Sequence, residues 1–185
     1  MRADAQRNSA RIIAVAKEVF AEHGIDAPLD DIVKRAAIGA GTLYRHFPTR
    51  DVLLEAIYRE EIIALAELGS RLHRELPPER ALGTWLHAQL TFIFANKGLA
   101  RSLKTAMDHN SENFDYCRTA MRATMAELLT PLQESGTVRA DIEVLDLLRI
   151  AHGISVATEQ DGVERGHKML DIMLTGLGLP TEAVA

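Results

Sequence analysis

Residues 29–47, with the sequence LDDIVKRAAIGAGTLYRHF, constrain the fold of this chain more than any other segment. Apolar side chains recur at helical spacing on both sides of the short turn Ala37-Ile38-Gly39. The positions that share this face are Leu29, Ile32, Val33, Ala36, Leu43 and Phe47. The segment is therefore predicted to form two short helices that lock together through the shared face, with Ile38 filling the gap between them.

A longer helix is predicted before this pair, from Ser9 to His23, with Gly24 as its C-cap. A longer helix followed by two short helices and a tight turn is the helix-turn-helix arrangement. The second short helix begins with small residues at 40–42, so its backbone can approach base pairs closely, and the positive end of its dipole favours phosphate. The pattern predicts that this end enters a groove of DNA.

The charge distribution agrees with that prediction. The net charge of the chain is -5, but residues 1–50 hold eight basic and six acidic side chains, while residues 51–185 hold thirteen and twenty. A mildly basic N-terminal piece on an acidic remainder is what a DNA-binding headpiece joined to a regulatory body would show.

The rest of the chain also shows helical periodicity, and no segment alternates apolar and polar residues over the length of a strand. We predict an all-α fold of about nine helices, in which a three-helix headpiece (residues 1–48) precedes an all-helical effector-binding and dimerisation body (residues 49–185). A long linking helix is predicted over residues 49–76. Asp141 is predicted to cap a strongly apolar helix that ends near Glu159.

The run GTLYRHFPTRDVLLEAIY, residues 41–58, closely resembles the recognition helix and following helix of the TetR family of bacterial transcriptional regulators. The resemblance implies a dimeric, sequence-specific DNA-binding protein, most often a repressor that a small-molecule effector releases from its operator. It also implies contacts to phosphates, base edges or the groove at Ala40, Gly41, Thr42, Tyr44, Arg45, His46 and Arg50. Arg7 and Arg11 are further candidates for contacts to the phosphate backbone of DNA.

The sequence departs from the family pattern at four positions. Pro28 stands where a capping Thr or Ser is frequent, and Gly39 where Ser is common. Ala40 replaces a frequent Lys or Arg. Ala37 replaces a common turn glycine, and alanine with a positive φ costs about 1 kcal/mol.

The last two long helices are predicted to form the dimer interface. The helix after Asp141 is apolar nearly all round, so it needs partners on two sides, and in a chain of this size the second partner is most simply another copy. The predicted interface residues are Leu147, Ile150, Ala151, Ile154, Leu170, Met173 and Leu174.

An effector pocket is predicted where Met and aromatic side chains are mixed with a few polar groups, which suits an adaptable cavity. Its candidate lining residues are Trp85, Gln89, Phe92, Met107, Phe114, Cys117, Arg118, Met121 and Met125. Arg118 or Arg122 is a candidate partner for an acidic effector, although a surface ion pair is an equal alternative. An ordinary apolar core is the alternative interpretation of the whole set.

Two other classes of function stay open as alternatives, a helical protein-binding adaptor without an effector and a small enzyme. We expect no catalytic residues, because Cys117, on an apolar helix face, has no activating neighbours. We also expect no cofactor and no metal, since the seven histidines are scattered and CxxC is missing. With one cysteine and no apolar run long enough to span a membrane, a cytoplasmic location is expected.

Overall fold

The computed structural model describes residues 2–99 and 112–181 of the 185-residue chain, with side chains described for residues 7–99 and 115–181. These residues form helices and connecting turns, without a strand among them. The helices are α1 (Arg2–His23), α2 (Leu29–Arg35), α3 (Ala40–His46), α4 (Arg50–Glu75), α5 (Pro78–Ala95), α6 (Glu112–Glu134), α7 (Val144–Ala157) and α8 (Val163–Gly176). Residues 97–99 are helical as well. The prediction of an all-α fold is confirmed.

Most helix ends follow the local signals in the sequence. The backbone N–H of Gly24 donates to Phe20 O at 3.0 Å, and the φ of Gly24 is +82°, so it closes α1 as a C-cap glycine. Thr49 Oγ1 accepts a hydrogen bond from the backbone of Val52 at 3.3 Å, as expected for a cap of α4.

Two helix starts differ from the predicted ones. The first helix begins at Arg2 rather than Ser9. The apolar helix begins at Val144 with Glu143 at the N-cap position, so Asp141 lies two residues too early to cap it, and its carboxylate accepts a hydrogen bond from Arg139 Nε at 2.9 Å. The cap interaction comes from Asp146, whose Oδ2 accepts the backbone N–H of Glu143 at 2.9 Å.

The chain divides into two compact units. Among the described residues, one comprises 2–61 with 98–99 and 112–113, and the other comprises 62–97 with 114–181. The helix α4 runs without interruption through the division. The headpiece boundary at residue 48 therefore stays a prediction, because the compact first unit also includes the first half of α4.

Each unit has its own buried apolar core. In the first unit, α2 packs against both α1 and α3, and Ile12, Val19, Ile32 and Leu43 are fully buried. In the second unit, α5 packs against α7 and α8, and its core includes Trp85, Leu86 and Leu170. No helix of the described segments is long and apolar enough to cross a membrane.

Candidate nucleic-acid interface

The helix α3 is held in place by its apolar side and leaves its other side to solvent. Leu43 is fully buried and Phe47, which follows the helix, is 5% exposed. The backbone N–H of Phe47 donates to Leu43 O at 2.8 Å and ends the helix. Ile32 of α2 is buried as well, so the two short helices share a packed face as the sequence predicts.

Most of the residues predicted to contact DNA lie on the solvent side of α3. Ala40, Gly41, Tyr44 and Arg45 are exposed, and Tyr44 has nearly half of its surface accessible. Thr42 and His46 are half-buried, and the His46 ring lies 6.2 Å from the Phe47 ring between centroids. The face is narrow at its N-terminal end and carries a phenol and a guanidinium one residue apart.

Arg50, at the start of α4, has a role inside the protein that the sequence did not reveal. Its Nη1 donates to the backbone carbonyl of Ile25 at 2.6 Å, and its guanidinium carbon lies 5.8 Å from the centre of the Phe20 ring. The side chain thus ties the first turn of α4 to the α1–α2 connection. The remaining guanidinium donors are the ones that could reach a phosphate.

An exposed ion pair joins α1 to α2. Both guanidinium nitrogens of Arg35 donate to the carboxylate of Glu22, at 2.8 and 2.7 Å. The hydrogen bond from Arg35 lowers the pKa of Glu22, and the same bond raises the pKa of Arg35. Exposed pairs contribute little stability, so the burial of Ile12, Val19 and Ile32 contributes more than this pair to the packing of α1 on α2.

Two family profiles cover most of the chain. The family described as "Bacterial regulatory proteins, tetR family" matches residues 12–57, and the family described as "Transcriptional regulator SbtR-like, C-terminal domain" matches residues 77–179. The chain belongs to the TetR family of transcriptional regulators. The resemblance of residues 41–58 to this family is thereby confirmed, and the chain falls in a class of regulators that are not typically enzymes.

Solved TetR-family structures share the fold over nearly the whole chain. A TetR transcriptional regulator from Streptomyces coelicolor is 33% identical with a TM-score of 0.75, covering 94% of this chain and 99% of that one. A TetR regulatory protein from Mycobacterium vanbaalenii is 31% identical with a TM-score of 0.71, covering 95% and 97%. The regulator UidR of Escherichia coli is 39% identical over 62 residues, 33% of this chain and 32% of UidR. The chain therefore matches about a third of the length of that curated relative.

The predicted effector residues that the structure describes lie on α5 and α6, and those other than Arg118 whose side chains are described form part of the body core or its margin. Trp85 and Met125 are fully buried, while Phe92 and Met121 are partly buried against the same cluster. Gln89 and Cys117 are each 5% exposed. Met107 and the side chain of Phe114 lie outside the described residues.

Arg118 does not belong to this buried set. Its side chain is 56% exposed, and its Nη2 contacts the carboxylate of Asp115 one turn earlier. The surface ion pair that the sequence left open is therefore the arrangement found, and a role of Arg118 towards an acidic effector stays a prediction.

The surface of the second unit has two open concavities away from the predicted pocket. One, of about 390 Å³, lies along α5 and α8 and has Arg80, His87 and Leu174 on its walls. The other, of about 580 Å³, lies along α4 and has Arg71, Arg74 and Tyr116 on its walls. None of the predicted effector residues lines either one.

Most of the residues predicted for the dimer interface lie inside the chain's own core. Five are buried, namely Leu147, Ala151, Ile154, Leu170 and Leu174. Met173 is half-buried and Ile150 is 43% exposed. Val156 and Ile172, which were not singled out from the sequence, are 59% and 66% exposed. A buried side chain has little surface to offer a second copy, and the large aliphatic side chains that α7 and α8 leave exposed are Ile150, Val156 and Ile172.

Proposed function

We propose that this chain binds an operator as a homodimer through α3 of each copy and represses transcription until a small molecule binds the body. The observation that carries the proposal is the pose of α3, whose apolar side is locked by Leu43 and Phe47 while Tyr44 and Arg45 face solvent. Membership of the TetR family supports the same function.

The exposed side chains of α3 divide into two expected roles. Contacts to phosphate set the position of a protein on DNA, and contacts to base edges set the sequence it prefers. We assign base readout to Thr42, which lies at the slim N-terminal end of α3, and to Arg45, whose exposed guanidinium can pair with the acceptors of a guanine edge. We assign phosphate binding to Tyr44, His46 and Arg50, with Arg50 using only the donors that Ile25 leaves available.

The experiment is a fluorescence-polarisation titration of the purified chain with DNA from its own upstream region. Replacing both Thr42 and Arg45 with Ala should weaken binding by tenfold or more and reduce discrimination against mutated sites. Arg139→Ala is the matched control, because Arg139 is an exposed arginine in the loop before α7. Unchanged affinity and specificity in the double variant would overturn the assignment.

The dimer part of the proposal rests on the exposed face of Ile150, Val156 and Ile172. Exposed apolar patches often mark interaction surfaces, and we assign these three exposed side chains to the surface between two copies. Two headpieces related by a twofold axis would read half-sites one or more helical turns apart. An operator with inverted half-sites is therefore expected, and footprinting would show it.

A further inference from the structure

Gln89 stands apart from the other buried polar side chains of the body. Four polar residues are buried in the described part of the chain, Gln89, Thr124, Ser155 and Thr158. The hydroxyls of the last three each donate to a backbone carbonyl three or four residues earlier, at 2.7 to 3.0 Å. The side-chain oxygen of Gln89 accepts no hydrogen bond from any described residue, although Gln89 is only 5% exposed.

A buried acceptor without a donor is an unfavourable feature, because it has given up its hydrogen bonds to water and gained none in return. A leucine of similar size would avoid that cost at the same position. The buried amide therefore indicates that a donor is supplied from outside the chain, either by a bound molecule or by an ordered water.

The neighbours of Gln89 on its own face of α5 are aromatic. It lies one helical turn after Trp85 and three residues before Phe92, so all three share one face of α5. Trp85 is fully buried, and its indole N–H donates to Leu65 O of α4 at 2.9 Å, so that donor is already engaged. Phe92 packs against the apolar core of the same unit.

The electrostatics of this face disfavour a charged ligand. No charged side chain is buried in the described part of the second unit. The two arginines of α6, Arg118 and Arg122, are exposed. An ionised group beside Gln89 would lose its hydration without gaining a counter-charge.

We propose that the side-chain oxygen of Gln89 is the polar anchor of the effector site, and that the effector is an uncharged, mainly apolar molecule that donates a hydrogen bond from a hydroxyl or amide N–H. The inference rests on the proposed function for the existence of an effector. It adds the chemical class of that effector and the residue that selects it.

Trp85 makes the site directly observable, because it is the only tryptophan of the chain and lies one turn from Gln89. Three probes of similar size separate the ligand classes: cyclohexanol donates a hydrogen bond, methoxycyclohexane only accepts, and cyclohexanecarboxylate is charged. Titration of the full chain, followed by Trp85 fluorescence, should give cyclohexanol an affinity about tenfold higher than either of the others, the difference expected for one hydrogen bond to a buried partner.

The Gln89→Leu variant should remove this preference and bind cyclohexanol and methoxycyclohexane equally. Gln160→Leu is the control, since Gln160 is an exposed glutamine in the turn before α8. The proposal is overturned if the alcohol shows no advantage in the wild type, if the carboxylate binds best, if Gln89→Leu keeps the preference, or if no probe binds, in which case water satisfies Gln89. DNA binding measured on the same samples separates these outcomes from a failure of the proposed function, because operator binding would persist.

Discussion

Ala37 closes α2 in a backbone conformation that alanine rarely adopts. Its φ is +49°, in the left-handed region. The N–H of Ile38 donates to Val33 O and the N–H of Ala37 to Lys34 O, both at 3.2 Å, which is the pair of bonds of a Schellman motif. The turn thus has the geometry that glycine favours, with alanine in the glycine position.

Ala37→Gly is therefore expected to raise the free energy of unfolding by about 1 kcal/mol, because it removes the steric cost of the left-handed conformation. Urea denaturation followed by circular dichroism would measure it. Ala14→Gly, at an exposed position inside α1, is the control and should lower the same free energy by about 1 kcal/mol. A lower stability of Ala37→Gly would contradict the account of the turn.

Arg50 offers a second test at the scale of one side chain. Arg50→Lys keeps the positive charge but loses the planar group that reaches Ile25 O and lies near the Phe20 ring. We expect the variant to lose about 1 kcal/mol of stability as well as DNA affinity. If Arg50 acted only as a charge towards phosphate, the lysine variant would unfold at the same urea concentration as the wild type.

At the scale of helices, Gly69 permits a close approach of α4, α5 and α6. A Cβ atom at this position would lie 2.2 Å from the Thr124 methyl group and 3.0 Å from Trp85 Nε1. The glycine lies inside a helix, where it carries an intrinsic cost. Its presence is explained by the side chains of the two neighbouring helices that fill the space beside it.

Gly69→Ala should therefore destabilise the chain by about 1–3 kcal/mol through overpacking, despite the better helix propensity of alanine. Adding Thr124→Ser removes the clashing methyl while keeping the hydroxyl bond to Ala120, so the double variant should regain part of the loss. Gly176→Ala, where nothing lies within 4 Å of the added atom, should be close to neutral. Thermal unfolding of the three variants would measure these effects. If the effects of Gly69→Ala and Thr124→Ser simply added, the two side chains would not be in contact.

The contact of α5 with α8 carries a polar network on its outer edge. His87 Nε2 lies 2.9 Å from Asp171 Oδ1, Thr91 Oγ1 lies 3.0 Å from His167 Nε2, and the two imidazole rings meet edge to face at 4.8 Å. Partial burial, and then repulsion from His87, lower the pKa of His167 below its ordinary value of 6.5, although a hydrogen bond to the His87 backbone and the charge of Asp171 oppose the shift.

This shift predicts a pH dependence of stability. Between pH 6.5 and the lowered value, the unfolded chain binds more protons at His167 than the folded chain does, so stability falls as the pH is lowered through this window. His167→Gln should flatten that part of the curve, whereas His73→Gln, at an exposed histidine of α4, should not. Urea midpoints measured from pH 7.5 to pH 5 would test the prediction. Parallel curves for wild type and His167→Gln would refute it.

At the scale of the whole molecule, the proposed dimer depends on the apolar side chains that α7 and α8 leave exposed. The body buries one side of α7 through Leu147, Ala151 and Ile154, whereas Ile150 and Val156 of the same helix are 43% and 59% exposed. An apolar helix with one uncovered side is stabilised when a second copy covers it.

Replacing both Val156 and Ile172 with Glu should convert a dimer to a monomer, because four like charges would then meet in an apolar interface. Light scattering would show the halved mass, and operator affinity should fall with it, since one headpiece reads only one half-site. Val52→Glu, at an exposed aliphatic residue of α4, is the control and should keep the mass of the wild type in light scattering. A double variant that keeps the dimeric mass would place the interface elsewhere.

The sequence by itself determined the local features of this protein. Helix periodicity, the C-cap glycine at Gly24 and the cap at Thr49 depend on neighbours within one or two turns, so α2, α3 and the start of α4 were predictable. The family resemblance of residues 41–58 depends on the same local order of residues. The exposed set around Tyr44 and Arg45 followed, because the apolar face of a short helix also defines its polar face.

Only the tertiary structure decided which apolar side chains meet which partners. Leu170 and Ile172 look alike in the sequence, yet the first is fully buried in the chain's own core and the second is largely exposed. The hydrogen bond from Arg50 to Ile25 O joins residues 25 positions apart. The close approach of helices at Gly69 depends on side chains of α5 and α6. A helical pattern specifies a face but not what covers it, because packing depends on contacts between residues that are distant in the chain.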